Sequence, residues 1–222
     1  MCGKFTQSVS QAQSWQEHHD LMALLGRPAD GPVNTPRPMH FAQVLRLDNT
    51  GKRQLVPMRW GFAALSAKNP GTPDHIHARA ETIDIKPTFR EAFRARRGVM
   101  VMNSFNEGEE ITPSKTLQYV VTPRDNKTFA VAVLWEAWEN PEHGELLTYV
   151  MATVPANALI AKITDRMPAI FALEDIPAWL GETTATIEQL KAMLRTVEDV
   201  WEMAQEKKTA PPKKPSAQQE LF

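Results

Sequence analysis

Cys2 is the only cysteine among 222 residues, and its neighbours are Met1 and Gly3. Aminopeptidases remove an initiator Met when the next side chain is small, and Cys qualifies. Removing Met1 would leave Cys2 with a free α-amine and a thiol on adjacent carbons. Such a 1,2-aminothiol does what no internal cysteine can. The amine condenses with an aldehyde, and the thiol closes onto the same carbon to give a five-membered thiazolidine. An α-amine of pKa ~7.8 is roughly one third free base near pH 7.5. A thiol at ~8.5 needs only modest help to ionise. The alternative is an inert thiol placed there by chance, and the rest of the chain decides between the two.

Other chemistry-bearing residues narrow the field. Among the six histidines only His75 and His77 stand at a spacing that could share a metal, and CxxC pairs are absent, so no metal or cofactor is expected. One cysteine permits no internal disulfide, which fits a reducing cytosol. No apolar run approaches the ~20 residues of a membrane span. MCGKFTQSVSQAQ is too polar for a signal peptide, so a cytoplasmic protein is expected. Net charge is −1, which gives no global basic signature. The charge is instead local. REAFRARR, residues 90–97, holds Arg90, Arg94, Arg96 and Arg97, and Lys4, Arg37 and Arg79 could join that run in space. A solvated helix face is the alternative for the run; a few phosphate contacts are within its reach.

The elements that must position these residues read as antiparallel strands with helices at the edges. SQAQSWQEHHDLMALL (10–25) has the cap and spacing of a helix. RPADGPVNTPRP (27–38) is a Pro-rich loop. FAQVLRL (41–47) and RQLVPMRW (53–60) flank DNTGK as a β-hairpin. A helix over 87–96 leads to an apolar strand, 98–105. LQYVVTP (117–123) and TFAVAVLWEAW (128–138) read as a second hairpin, LLTYVMATV (146–154) as a strand, and PANALIAKI as a helix. Residues 186–205 carry apolar side chains at helical spacing and predict a long amphipathic helix. The sum is α+β, a single domain over residues 2–205 with an antiparallel β-barrel-like core and peripheral helices. Residues 206–222, EKKTAPPKKPSAQQELF, read as a flexible Lys/Pro-rich tail.

Several short motifs fall in a consistent order: MCGKF at the start, Asn34 in VNTP, Trp60–Gly61 in RWGF, HARAET from His77 to Thr82, Glu107 in VMNSFNEG, and TDRMP from Thr164 to Pro168. Over roughly residues 2–180 this pattern resembles the SRAP family, abasic-site processing proteins that crosslink to single-stranded DNA. The resemblance implies a barrel-like α+β domain with a positively charged groove. It implies that the Cys2 amine forms a Schiff base with the C1′ aldehyde of an abasic site and that the thiol traps it. Glu107 matches the family's active-site glutamate, a proton shuttle, and Asn34 its site asparagine. Arg79 matches the ARxET arginine, a phosphate ligand whose alternative is a salt bridge to Glu81. Lys4, Arg37, His77, Arg90 and Arg94 complete the expected DNA-binding set. Trp60 is expected to pack in the core rather than to stack on a base.

The chain departs from the family in several places. Lys4 stands for an arginine, which removes bidentate phosphate geometry. Thr164 stands where a histidine usually precedes DRMP, and threonine cannot titrate near neutral pH. Capture is then expected to survive while release slows. His77 stands for an asparagine, and the loop FAALSAKNPG lacks the aromatic pair often found there. The closing QQELF, Gln218 to Phe222, is similar to peptides that bind the bacterial sliding clamp. Other functional classes remain open at this stage. One is an N-terminal-nucleophile amidohydrolase or autopeptidase, with a lyase activity also conceivable. Another is a non-catalytic adaptor for DNA and clamp. A monomer is expected.

Overall fold

Strand-forming residues dominate the middle of the chain, and the computed structural model shows how they are used. It describes residues 2–7, 34–63, 75–140, 144–198 and 200–206. The helix expected over 10–25, most of the Pro-rich loop and the tail beyond Glu206 lie outside these residues.

Eleven strands are described: β1 (Lys4–Thr6), β2 (Phe41–Leu47), β3 (Arg53–Trp60), β4 (His77–Arg79), β5 (Arg97–Met102), β6 (Ser104–Thr112), β7 (Lys115–Pro123), β8 (Phe129–Asn140), β9 (Gly144–Pro155), β10 (Arg166–Pro168) and β11 (Trp201–Gln205). Strands β9, β3, β2, β5 and β8 pair in that order, and β8 pairs back onto β9. Five strands thus close into a barrel, which leaves no open edge among them. All of these pairings are antiparallel except β3 with β9. The barrel is narrow where β2, β5 and β8 meet. A Cβ on Gly98 would come within 2.8 Å of Val44 Cγ1 and 3.1 Å of the Leu45 carbonyl oxygen, so only glycine fits. A second sheet runs β1-β6-β7-β11 and packs its inner face on the barrel through Phe5, Phe105 and Val121.

Strand β9 is the hub. One edge carries β3 and then β4, both parallel to it; the other carries β8 and then β10, both antiparallel. Its inner residues from Tyr149 to Val154 are buried, and the near-continuous apolar run LLTYVMATV follows from that.

The hairpin 41–47/53–60 forms as expected, with an Asp48 carboxylate that accepts from Thr50 and Lys52 amides in the turn. Two expectations about strands are corrected. The strands near 117–123 and 128–138 exist, but they do not pair. β7 pairs with β6, and β8 with β5 and β9. The apolar run after the arginine helix breaks at Asn103 into two strands. The second continues through NEGEEIT, whose outer half is exposed and therefore polar. The long helix over 186–205 is also not formed. A helix runs only over Ile187–Met193, started by a capping box between Thr186 and Gln189. Beyond it the Val197 carbonyl accepts from the Asn157 side chain at 2.9 Å and the Trp201 indole at 3.2 Å, so it makes no helical bond. Trp201 then wedges edge-on between Phe105 and Phe129, and β11 fills the open edge of β7. Edge pairing and aromatic burial outweigh a helical spacing here. PANALIAKI likewise gives only a short 3-10 turn over Ile160–Lys162. Among the described residues no helix is long and apolar enough to cross a membrane.

Candidate functional site: Cys2 and the strands around it

The chain enters the fold through β1, antiparallel to β6, with Lys4 opposite Asn106 and Phe5 opposite Phe105. Side chains alternate along β6, so Phe105 and Glu107 share the inward face. The register therefore carries Glu107 inside, past Lys4, toward Cys2. Cys2 is 2% exposed and Glu107 1% exposed.

Burial sets the protonation of both. The Glu107 carboxyl is pushed up to about 6, chiefly by loss of water; the positive amino terminus and, less strongly, the Cys2 backbone pull it down, and the charge of Asp165 adds to the rise. Only an N–H donor stabilises a carboxylate in that way, so the Cys2 nitrogen faces Glu107. The Cys2 thiol is pushed up to about 12 by burial and then by the Glu107 charge, against the pull of backbone groups of Lys4 and Asn106. Its Sγ donates to the Lys4 carbonyl at 3.3 Å. At neutral pH the thiol is protonated and the carboxyl largely ionised.

His77 opens β4 on the flank of β9, opposite Met151. Both ring nitrogens are buried with no hydrogen-bond partner among the described residues. Burial, and then the positive amino terminus, push the ring down to about 4, and the Cys2 backbone opposes that shift. An acceptor alone favours the charged ring, so the Cys2 carbonyl lies on the His77 side. His77 is thus a neutral imidazole beside Cys2.

Trp60 is fully buried, as expected of a packing residue. Its indole donates to the Ile76 carbonyl at 2.9 Å, and its ring lies 5.4 Å from Phe5 and 5.9 Å from His77. Gly61 then turns with φ of 129°, a left-handed value that suits glycine, and its amide donates to the Tyr149 carbonyl at 3.0 Å. The Trp-Gly pair therefore locks the end of β3 against β9 under the site.

HARAET and TDRMP are joined by Arg166. This buried arginine donates to Glu81 Oε1 at 2.5 Å, to Glu81 Oε2 at 2.8 Å and to the Thr153 carbonyl at 2.6 Å. Glu81 belongs to Arg166, not to Arg79, whose side chain is exposed. The Arg166 hydrogen bond is the main reason that the Glu81 carboxyl sits below its ordinary value, with Arg79 a smaller contributor. Thr164 is half-buried at the start of this motif, next to Asp165, whose charge reaches Glu107.

The remaining expected residues lie apart from this cluster. Asn34 is exposed and forms a bridge with Gln7, and its side chain donates to the Phe41 carbonyl at 3.4 Å. Lys4 forms an ion pair with Glu206 across the second sheet. Arg37 is exposed in the turn before β2. Of the arginine run, Arg96 pairs with Glu136 at 2.7 Å, and Arg97 donates to the carbonyls of Phe93, Arg94 and Trp179. These two serve the fold. Arg90 and Arg94 are exposed and share Glu91 on the helix Arg90–Ala95. Sequence reasoning missed Asp165, Arg166 and Tyr149. A hydroxyl inside the apolar run of β9 was the signal available for Tyr149.

The profile of the family described as SOS response associated peptidase (SRAP) matches residues 1–209. The chain is 29% identical over 197 residues to the abasic site processing protein YoqW of Bacillus subtilis, covering 88% of this chain and 87% of that protein. It is 23% identical over 191 residues to the abasic site processing protein HMCES of Xenopus tropicalis, covering 75% of this chain and 57% of that one. Among solved structures, a Bordetella bronchiseptica protein superposes with a TM-score of 0.73 at 18% identity, over 93% of this chain and 100% of its own. A phage-related protein from the same organism reaches 0.71 at 17% identity, over 93% and 95%. With its opening cysteine, buried glutamate and Arg166-joined motifs on this barrel, the chain belongs to the SRAP family.

Proposed function

We propose that this protein processes abasic sites in DNA by capturing them covalently through Cys2 once Met1 is removed. The observation that carries the reading is the burial of Cys2 and Glu107 together, each shifting the other's titration. A ring-opened abasic sugar presents a C1′ aldehyde. The freed amine attacks C1′, and the former carbonyl oxygen takes up protons and leaves as water, giving a Schiff base. The thiol then adds to the same carbon while its proton passes to nitrogen, closing the thiazolidine. A carboxyl near 6 can both give and take protons close to neutral pH. A thiol held near 12 supports the order of amine first and sulfur second, and disfavours a thiolate-led amidohydrolase. The closed ring leaves no aldehyde to promote strand cleavage by β-elimination. Exposed Arg79, Arg37, Arg90 and Arg94 supply positive charge for phosphates of single-stranded DNA. The names of the relatives agree with such a target.

The test is a denaturing gel of mature protein with single-stranded DNA carrying an abasic site. A shifted band lost in Cys2→Ala is expected. No band with DNA affinity intact would leave an adaptor, and DNA-independent amide hydrolysis would leave a hydrolase; either overturns capture. The protein acts as a monomer in the cytoplasm, and residues 218–222 tether it to the sliding clamp. Deleting those five residues should abolish clamp binding and spare crosslinking.

A further inference from the structure

A lysine beside a reacting nucleophile can hold a phosphate only if nothing else already holds it. Lys4 stands two residues from Cys2, and its carbonyl accepts from the Cys2 Sγ at 3.3 Å. Its ammonium is taken: it donates to Glu206 Oε1 in an ion pair. The two edges of the second sheet build this contact. Lys4 on β1 lies opposite Asn106 on β6, Asn106 opposite Val120 on β7, and Val120 opposite Ala204 on β11. Alternation puts Lys4 and Ala204 on one face of the sheet, with Glu206, two residues on, on the same face. The Glu206 amide donates to the Gln118 carbonyl at 2.7 Å, which extends the ladder and fixes the carboxylate at the end of β11. The Lys4 and Glu206 side chains are 19% and 32% exposed, so salt screens this pair less than the solvated Arg94–Glu91 pair.

We propose that Glu206 is a specificity-determining residue: its carboxylate occupies the Lys4 ammonium and so keeps affinity for intact single-stranded DNA low. The inference rests on the capture reading above. A strand that delivers an abasic sugar to Cys2 carries its flanking phosphates past Lys4. A phosphate contact adds affinity without regard to sequence or damage. At Lys4 that phosphate must displace a carboxylate already in place, and an intact strand gains little from the exchange. A strand with an abasic site is retained by its bond to Cys2 instead, which no carboxylate competes away. Glu206 therefore acts against the wrong ligand rather than for the right one.

Binding of an undamaged fluorescent single strand to the full chain, read by anisotropy at several salt concentrations, tests this. Glu206→Gln should bind ~5-fold tighter, the upper end for a partly exposed ion pair. Its slope of log affinity against log salt should be steeper by ~0.7, one phosphate contact more. Glu202→Gln removes the same charge from an exposed residue four positions earlier on the same face, and it should do much less. In a Lys4→Gln background the gain from Glu206→Gln should shrink to that of Glu202→Gln. On denaturing gels, excess intact strand should suppress crosslinking of an abasic strand more in Glu206→Gln than in wild type. Equal gains from the two glutamate variants, an unchanged slope, or a full gain without Lys4 would overturn the inference while leaving capture standing. Absence of any Cys2-dependent band in the wild type would remove both.

Discussion

The tie between Arg166 and Glu81 holds the TDRMP and HARAET segments together, and its strength can be worked from the geometry. Arg166 is 6% exposed and makes three short hydrogen bonds, two to Glu81 and one to the Thr153 carbonyl. A hydrogen bond to a charged group contributes about 1.5–3 kcal/mol when buried. The Glu81 side chain is 48% exposed, so solvent screening reduces each of its two bonds to ~1 kcal/mol. Glu81→Gln should therefore cost ~2 kcal/mol of unfolding free energy. Arg166→Met should cost ~3 kcal/mol, because it also removes the bond to the Thr153 carbonyl, which keeps only the Ala80 amide as donor. The double variant should be less destabilised than the sum by ~2 kcal/mol, the coupling that a double-mutant cycle in urea reads. The sign of the pH dependence follows from the Glu81 carboxyl lying below its ordinary value of 4.5. A depressed carboxylate contributes stability above its unfolded value and loses it as pH falls through the folded one. The gap between wild type and Glu81→Gln should accordingly close in acid. A coupling under ~0.5 kcal/mol, or a gap unchanged between neutral and strongly acidic pH, would refute the clamp.

Other outcomes follow from the same geometry. Glu107 is raised from 4.5 to about 6, so the folded state binds its proton more tightly and stability declines as pH rises through that window. Glu107→Gln should match wild type near pH 4 and exceed its stability by up to ~2 kcal/mol near pH 8, while crosslinking slows by ~100-fold; urea titrations at the two pH values and gel kinetics read both. Thr164→His should speed crosslink reversal, and equal reversal rates would dismiss the idea that release is limited at this position. Arg79→Gln should weaken binding to single-stranded DNA and lower the slope of log affinity against log salt by ~0.7, measured by fluorescence anisotropy at several salt concentrations.

Local signals in the sequence were faithful where one element settled its own shape. The β2–β3 hairpin and the burial of Trp60 both follow from pattern and turn chemistry. Pairing between strands was not legible, because β7 and β8 are adjacent in the chain yet each finds a better partner elsewhere. The segment 186–205 misled for a related reason. Its apolar spacing fits a helix, but Trp201 is worth more between Phe105 and Phe129 than on a helix face. At the site, Cys2 and Glu107 are buried together, and His77, expected among the DNA-binding residues, turns its ring nitrogens into the interior instead. Asn34 does not join them, and half of the arginine run is absorbed by carbonyls and by Glu136. Motif position marks which residue types a family keeps; it carries no information on which side chains the barrel wall sets beside one another.

The burial of Cys2 has a bearing on durability. A thiol moved from 9.0 to about 12 holds roughly a thousandfold less thiolate at neutral pH, and thiolate is the form that peroxide and electrophiles attack. At 2% exposure the sulfur is also sheltered from contact with such agents. Under the capture proposed above, that one cysteine must still be reduced when a substrate arrives. The closed barrel and the strand laid across it thus act as packaging that keeps the thiol in its reduced form.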